Sequence, residues 1–366
     1  MKPQHASPLD TIFHGDTLEF LSGLADESVQ LVVSSPPYNI GKEYETRQAL
    51  DAYLVNQSVI LRECVRVLRQ TGSIFWQLGS YSADGSLIPL DVRVFPILEG
   101  LGLIPRNRVI WVRQHGVHAR KKFSCRHESI LWFTKSDSYS FNLDAIRVPQ
   151  KYQNKTEWEG PNYGKLTCNP LGKNPADIWV FRNVKHNHEE QTIHPCQFPE
   201  DLITRIVLAV TDSGDTILDP YMGSGTVAVV ARDTGRHFLG AELDAKYHSV
   251  AMRRLSGEPD EDNRFANLKS LRQYVRRTGK PVENYRFDMQ VGNVATTADK
   301  AKIFPESHHL TQLEDRLSFE EDCFAADLRG ETRPVDPLGH NDPNKLKKKK
   351  RVGAEDQLTL FDKVDT

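Results

Sequence analysis

Short apolar runs alternate with stretches of helical period along the first two thirds of the chain. Val29-Gln30-Leu31-Val32-Val33 is apolar and β-branched and predicts a buried strand. Ser73–Leu78, Arg108–Val112, His127–Thr134, Thr216–Leu218 and Arg236–Ala241 read the same way, and Thr11–Asp16 predicts a short strand running into a turn. Leu50, Tyr53, Leu54, Ile60, Leu61, Val65 and Leu68 fall at helical spacing, so 50–69 predicts a helix stopped by Thr71-Gly72. Further helices are expected from Leu18, over 89–101, over 199–210 behind Pro199, and from Val227. Strands alternating with helices imply a wound α/β domain.

Residues 137–190 break this rhythm, with much Asn, Lys, Gly, Pro and Tyr and little helical period. Over 103–190 there are fifteen Lys/Arg against eight Asp/Glu, in a chain of 366 residues whose formal net charge is −2. Tyr152, Trp158, Tyr163, Trp179 and Phe181 are interleaved with these cations. That composition suits a nucleic-acid surface, and a solvated loop region is the plain alternative. Gly257–Asn263 is acidic and turn-like, 264–277 could form one basic helix, and beyond about 280 few apolar residues cluster. The region 257–366 is therefore expected to be an appended and partly disordered tail, with a basic block at Lys345–Arg351.

Five scattered cysteines with no Cys-x-x-Cys pair indicate neither a disulfide framework nor a zinc ribbon. His186, His188, His194 and Cys196 lack the spacing of structural zinc sites, so no metal is expected. The N-terminus shows no apolar leader core and no run approaches a membrane span, so a cytoplasmic protein without membrane contact is the expectation.

Candidate chemistry gathers at two strand ends. Ser34-Ser35-Pro36-Pro37-Tyr38-Asn39 follows the apolar run 29–33, at the carboxyl edge where open α/β sheets bind ligands. Two prolines fix φ twice and remove two donors, leaving a stiff turn of carbonyls, the Ser35 hydroxyl and the Tyr38 ring. Acceptors beside a flat aromatic face suit an amino group conjugated to a base, on which Tyr38 could stack. The other end is Asp219-Pro220-Tyr221-Met222-Gly223-Ser224-Gly225-Thr226, a strand end, a glycine turn and a helix start. Gly223 and Gly225 allow a ligand to lie against bare backbone there. Glu242 ends the next strand, where nucleotide-type sites hold ribose hydroxyls. Asp16, at another strand end, could accept from an adenine amine or simply cap the following helix.

Taken together, in this order, the motifs resemble the N4-cytosine/N6-adenine DNA methyltransferases, and more narrowly their permuted beta group, over about residues 10–255. Ser35-Pro36-Pro37-Tyr38 matches the catalytic motif, and His194–Pro199 matches a segment ahead of the cofactor strand. Asp219–Thr226 matches the cofactor turn, with Tyr221 where Phe is usual. The resemblance implies a Rossmann-like methyltransferase sheet with 10–136 as catalytic half, 137–190 as target-recognition insertion and 191–256 as cofactor half. It implies S-adenosylmethionine as cofactor, held by Asp16, Phe198, Asp219, Pro220, Tyr221, Gly223, Ser224, Gly225, Thr226 and Glu242. It also implies Ser35, Pro36, Pro37 and Tyr38 as catalytic residues. Double-stranded DNA would be the substrate, with the target base flipped out of the duplex. A homodimer, a cognate restriction endonuclease and a bacterial or phage-encoded, nucleoid-associated setting follow from the same resemblance.

The base itself stays open at this point. Ser at the first motif position is commoner among cytosine-N4 enzymes, whereas Asn39 after Tyr38 is closer to many adenine-N6 enzymes. Cytosine N4 is the preferred reading and adenine N6 the alternative. An RNA or protein-amide methyltransferase and an inactive DNA-binding module are further alternatives.

Overall fold

A computed structural model describes residues 9–257, apart from 44, 84–85, 114–118, 150–154, 182 and 185–189. The tail beyond 257, including the basic helix expected at 264–277, lies outside the described residues, as do Tyr152, His186 and His188.

Ten strands and seven helices follow one another as β1 (Thr11–His14), α1 (Thr17–Ser22), β2 (Val29–Ser34), α2 (Leu50–Val67), β3 (Leu68–Leu78), β4 (Ser80–Ala83), β5 (Ser86–Pro89), α3 (Leu90–Gly100), β6 (Ile104–Val112), β7 (His127–Thr134), α4 (Leu143–Ile146), β8 (Ile178–Val180), α5 (Glu200–Val210), β9 (Thr216–Asp219), α6 (Thr226–Asp233), β10 (His237–Glu242) and α7 (Ala245–Ser256) among the described residues. Eight strands form one sheet in the order β1-β10-β9-β2-β3-β7-β6-β8, and β4 and β5 form a separate hairpin. Within the large sheet only β7 runs against its neighbours. It therefore begins at the edge where the parallel strands end: Ser129 pairs with Leu78 and His127 with Val112.

Side chains of successive strand residues point to opposite faces, and both faces are covered. Leu31, Val33, Phe75 and Trp132 pack with α5 and α6 on one side. Val32, Ile74, Trp76 and Phe133 pack with α1, α2 and α3 on the other. The chain leaves β2 for α2 on one face and β9 for α6 on the opposite face, although the two strands are adjacent. Diverging connections open a crevice between their carboxyl ends, and ligands bind there in this architecture.

Two differences from the sequence reading have clear causes. Residues 137–190 are not wholly irregular, because β8 pairs in parallel with β6 and closes the sheet edge. Trp179 and Phe181, read as part of a nucleic-acid surface, are buried, with Arg205 stacked over both rings. Beyond Tyr38 the chain is tied down: the Glu45 carboxylate accepts from the backbone N–H of Asn39 and Ile40 at 2.7 and 2.8 Å. Among the described residues no helix is long and apolar enough to cross a membrane.

Candidate active site

The β2 and β9 ends are joined by one side-chain bond. Ser34 Oγ donates to Asp219 Oδ1 at 2.5 Å, both residues being buried. The turn after Ser34 is fixed from outside: the Tyr53 hydroxyl donates to the Pro37 carbonyl at 2.9 Å. Asn39 adopts the left-handed conformation at φ 61° and is buried. Its amide donates to Gln48 O at 2.8 Å and accepts from Gln48 N at 2.6 Å. Both halves of that side chain are spent on the following loop.

Tyr38 is held at two points. Its ring lies against Gly79, where a Cβ would come within 2.7 Å of Cε2. Its hydroxyl accepts from Ser35 Oγ at 3.3 Å and donates to Glu128 Oε2 at 3.1 Å. Glu128 is fixed in turn by Gln77 Nε2 and by Arg113 Nη1, the latter at 2.8 Å. Burial, and next the Glu128 charge, push the phenol well above its ordinary pKa, so the hydroxyl stays a donor. Sequence reasoning missed Gly79, Gln77, Arg113 and Glu128. The one available signal was an acidic residue at the start of a predicted strand, which points to this edge only once the strand is known to run backwards.

Asp16, Ser35, Pro36, Pro37, Tyr38, Phe198, Asp219, Pro220, Tyr221, Gly223, Ser224, Thr226 and Glu242 all line one cavity of about 460 Å³. Among the predicted site residues only Gly225 is not on its wall. Gly225 is the left-handed N-cap of α6 at φ 78°, and a Cβ there would lie 2.7 Å from the Cβ of Ala251. Its hydrogen is what lets α6 and α7 approach.

Three carboxylates face the cavity. Asp16 caps α1 through Oδ1, which accepts from Leu18 N at 2.8 Å and Glu19 N at 3.1 Å. Glu242 accepts from Gly223 N at 2.7 Å through Oε2 and from Asp244 N at 2.8 Å through Oε1. Burial raises its pKa against those two bonds. Burial also pushes Asp219 up to about 7, opposed by the bonds from Ser34 and from Tyr221 N. Tyr221, the replacement for Phe, places its hydroxyl 3.3 Å from the Gln57 amide, so the extra oxygen has a donor.

His194 and Tyr247, which the sequence reading did not assign, also line the cavity. The two rings meet edge to face at 4.5 Å. Nδ1 of His194 accepts from Cys196 N at 3.2 Å, which assigns the neutral-ring proton to Nε2. That nitrogen lies over Gly223, where a Cβ would approach to 3.2 Å. Burial first, then Lys42 and Arg254, lower the His194 pKa to about 4, so the ring is neutral at pH 7.

This donor set fits S-adenosylmethionine. Bare glycine backbone, aromatic walls and three carboxylates suit a nucleoside with two hydroxyls and a cationic sulfur and ammonium. The turn at 35–38 borders the same cavity as Asp219 and Glu242.

The basic region resolves into ion-paired and outward cations. Arg106 pairs with Asp137, Arg108 with Asp91, Arg113 with Glu128 and Arg147 with Asp144. Arg120, Lys121, Lys122, Lys155, Lys165 and Lys173 are exposed. With them stand exposed aromatic side chains at Phe123, Trp158 and Tyr163.

A model of the N6/N4 methyltransferase family, described as DNA methylase, matches residues 29–253. The chain is 53% identical over 314 residues to the type II methyltransferase M.BglII of Bacillus subtilis, covering 85% of this chain and 87% of that protein. It is 34% identical over 277 residues to the DNA adenine methyltransferase YhdJ of Escherichia coli K12, covering 74% and 89%. Among solved structures it resembles the PvuII cytosine-N4-specific DNA methyltransferase in fold, with a TM-score of 0.56 at 17% identity over 78% and 95% of the two chains. None of these favours an RNA or protein-amide substrate. The chain belongs to the N4-cytosine/N6-adenine DNA methyltransferases and is an S-adenosylmethionine-dependent DNA amino-methyltransferase.

Proposed function

We propose that this enzyme methylates N4 of cytosine in duplex DNA, at the turn formed by Ser35, Pro36, Pro37 and Tyr38. The observation that carries the choice of base is the fate of Asn39. Asn39 was the feature of the motif closest to adenine enzymes, and its side chain is buried and bonded to Gln48. Ser35, the feature commoner among cytosine-N4 enzymes, lines the cavity.

The flipped base stacks on Tyr38, and its amine donates to Ser35 Oγ and to the Pro36 carbonyl. Among the described residues no hydrogen bond ends on the Pro36 carbonyl, whereas that of Pro37 is occupied by Tyr53. Gripping both amine hydrogens draws the nitrogen lone pair out of conjugation and aims it at the cofactor side of the cavity. S-adenosylmethionine supplies a methyl group on a cationic sulfur that is already a good leaving group. The chain's contribution is position and electrostatics, with no covalent enzyme intermediate. Asp16, Phe198, Asp219, Pro220, Tyr221, Gly223, Ser224, Thr226 and Glu242 hold the cofactor, and Gly225 supports their turn through helix packing.

Adenine N6 is the second reading, favoured by the name of the Escherichia coli relative. Hydrolysis of DNA methylated by the purified enzyme, followed by mass spectrometry of the nucleosides, separates the two. N4-methylcytosine is expected, and N6-methyladenine alone would replace this reading with the second. The type II designation of M.BglII supports a role in restriction–modification beside a cognate endonuclease. A bacterial cytoplasmic setting at the nucleoid follows from DNA as substrate, and a homodimer from the group the chain resembles. The exposed cations and aromatics at 155–173 support assigning target recognition to the 137–190 segment.

A further inference from the structure

Phe123 is fully exposed. Its immediate neighbours Arg120, Lys121 and Lys122 are exposed as well. Yet the loop has internal ties. Ala119 N donates to Ser124 Oγ at 3.0 Å, and Arg113 N donates to Arg126 O at 2.7 Å. Lys122 Nζ donates to Ser82 Oγ at 2.7 Å and so fastens the loop to β4.

Two connections relate this loop to the base-binding turn. It leads directly into β7, whose second residue, Glu128, holds the Tyr38 hydroxyl. Its anchor Ser82 follows three residues after Gly79, against which the Tyr38 ring lies. Because β7 runs backwards, the loop stands at the same sheet edge as the ends of β2, β3 and β9. An exposed aromatic flanked by three cations, on a loop tied to β4, thus lies at the sheet edge that carries the turn at 35–38.

Extruding a base leaves a gap in the duplex stack. Proteins that unstack DNA commonly insert an apolar side chain, while adjacent cations engage the phosphates. We infer that Phe123 is the wedge that enters the stack as the target base leaves it, with Arg120, Lys121 and Lys122 on the flanking backbone. This rests on the reading that the base is extruded. The surrounding lysines argue against a protein partner, since interface cores are depleted in Lys.

The test uses the full-length enzyme and a duplex oligonucleotide carrying the motif it marks in cells. One form is fully paired. In the other the partner of the target base is an abasic site, so extrusion costs less. Phe123→Ala is expected to slow methyl transfer about 10–100-fold on the paired duplex, because nothing then fills the gap that unstacking leaves. On the abasic duplex it should stay within a few-fold of wild type, and Phe123→Leu should recover part of the loss. Equal rates for wild type and Phe123→Ala on the paired duplex, or an equal loss on both, would overturn the wedge. A shift in oligomeric state with no difference between the substrates would assign Phe123 to a subunit contact instead. Wild-type failure on the abasic duplex alone would strike the extrusion reading itself, and the wedge with it.

Discussion

Ser34 Oγ lies 2.5 Å from Asp219 Oδ1, and this bond joins the end of β2, ahead of the turn at 35–38, to the end of β9, ahead of the glycine turn. Adjacent strands would hold the two turns side by side without it. The bond does more, because it supplies a donor to a carboxylate sealed from water. Removing one partner of a buried, charged hydrogen bond costs about 1–3 kcal/mol. Ser34→Ala is therefore expected to lower Tm by several degrees and to weaken cofactor binding, measured by thermal melting and calorimetry. A variant that melts and binds as wild type does would mean that Asp219 has its partner elsewhere.

Asp219 also makes stability depend on pH in a definite sense. Burial raises it from an ordinary value of 3.8 to about 7. Between those values the folded chain holds a proton that the unfolded chain has released, so this group's contribution falls as pH rises through that window and is constant above it. Asp219→Asn removes the titration. Its Tm should gain on that of wild type from pH 4 to pH 7, by at most about 1.4 kcal/mol of stability per pH unit, and then level off. A difference independent of pH would mean that the carboxylate is ionised throughout.

Glu128 holds the Tyr38 hydroxyl. Glu128→Ala frees the hydroxyl and leaves Arg113 unpaired beside it. A misplacement of about 1 Å costs on the order of 100-fold in rate, so kcat should fall about 10–100-fold. The cofactor Kd should change little, and Glu128→Gln, which keeps an acceptor, should recover part of the rate. Loss of cofactor binding in proportion to kcat would argue for a general structural role.

Gly79 tests the same ring from its other support. Gly79→Ala would put a methyl group 2.7 Å from the Tyr38 ring. Transfer should drop at least about 10-fold while cofactor affinity and the cooperative melt persist. Unchanged turnover would show that the ring has room to yield.

Much of this was legible in the chain because it is local. Val29–Val33 reads as a buried strand from five residues, and the prolines and Tyr38 after it declare a stiff turn. The glycine turn at 219–226 is equally local, and its partner Glu242 is one strand away. The role of Gly225 was not legible, because it depends on Ala251 in a helix that carries little apolar signal. α7 buries Tyr247, Val250, Ala251 and even Arg254, whose guanidinium pairs with Glu200. β8 was hidden for a similar reason: Trp179 and Phe181 amid cations look like a binding surface until β6 supplies the pairing. Strand direction was invisible altogether. With β7 reversed, Glu128 reaches Tyr38 and the loop of Phe123 comes to the edge where β2, β3 and β9 end, and no spacing along the chain announces either.

Single-molecule sequencing of genomic DNA from cells expressing the wild-type enzyme or a Ser35→Ala, Tyr38→Ala double variant tests the central claim most directly. The account predicts N4-methylcytosine at one short motif in the wild type and its absence in the variant. A mark that persists in the variant would remove the base-binding turn from residues 35–38, and N6-methyladenine in the wild type would contradict the assigned base.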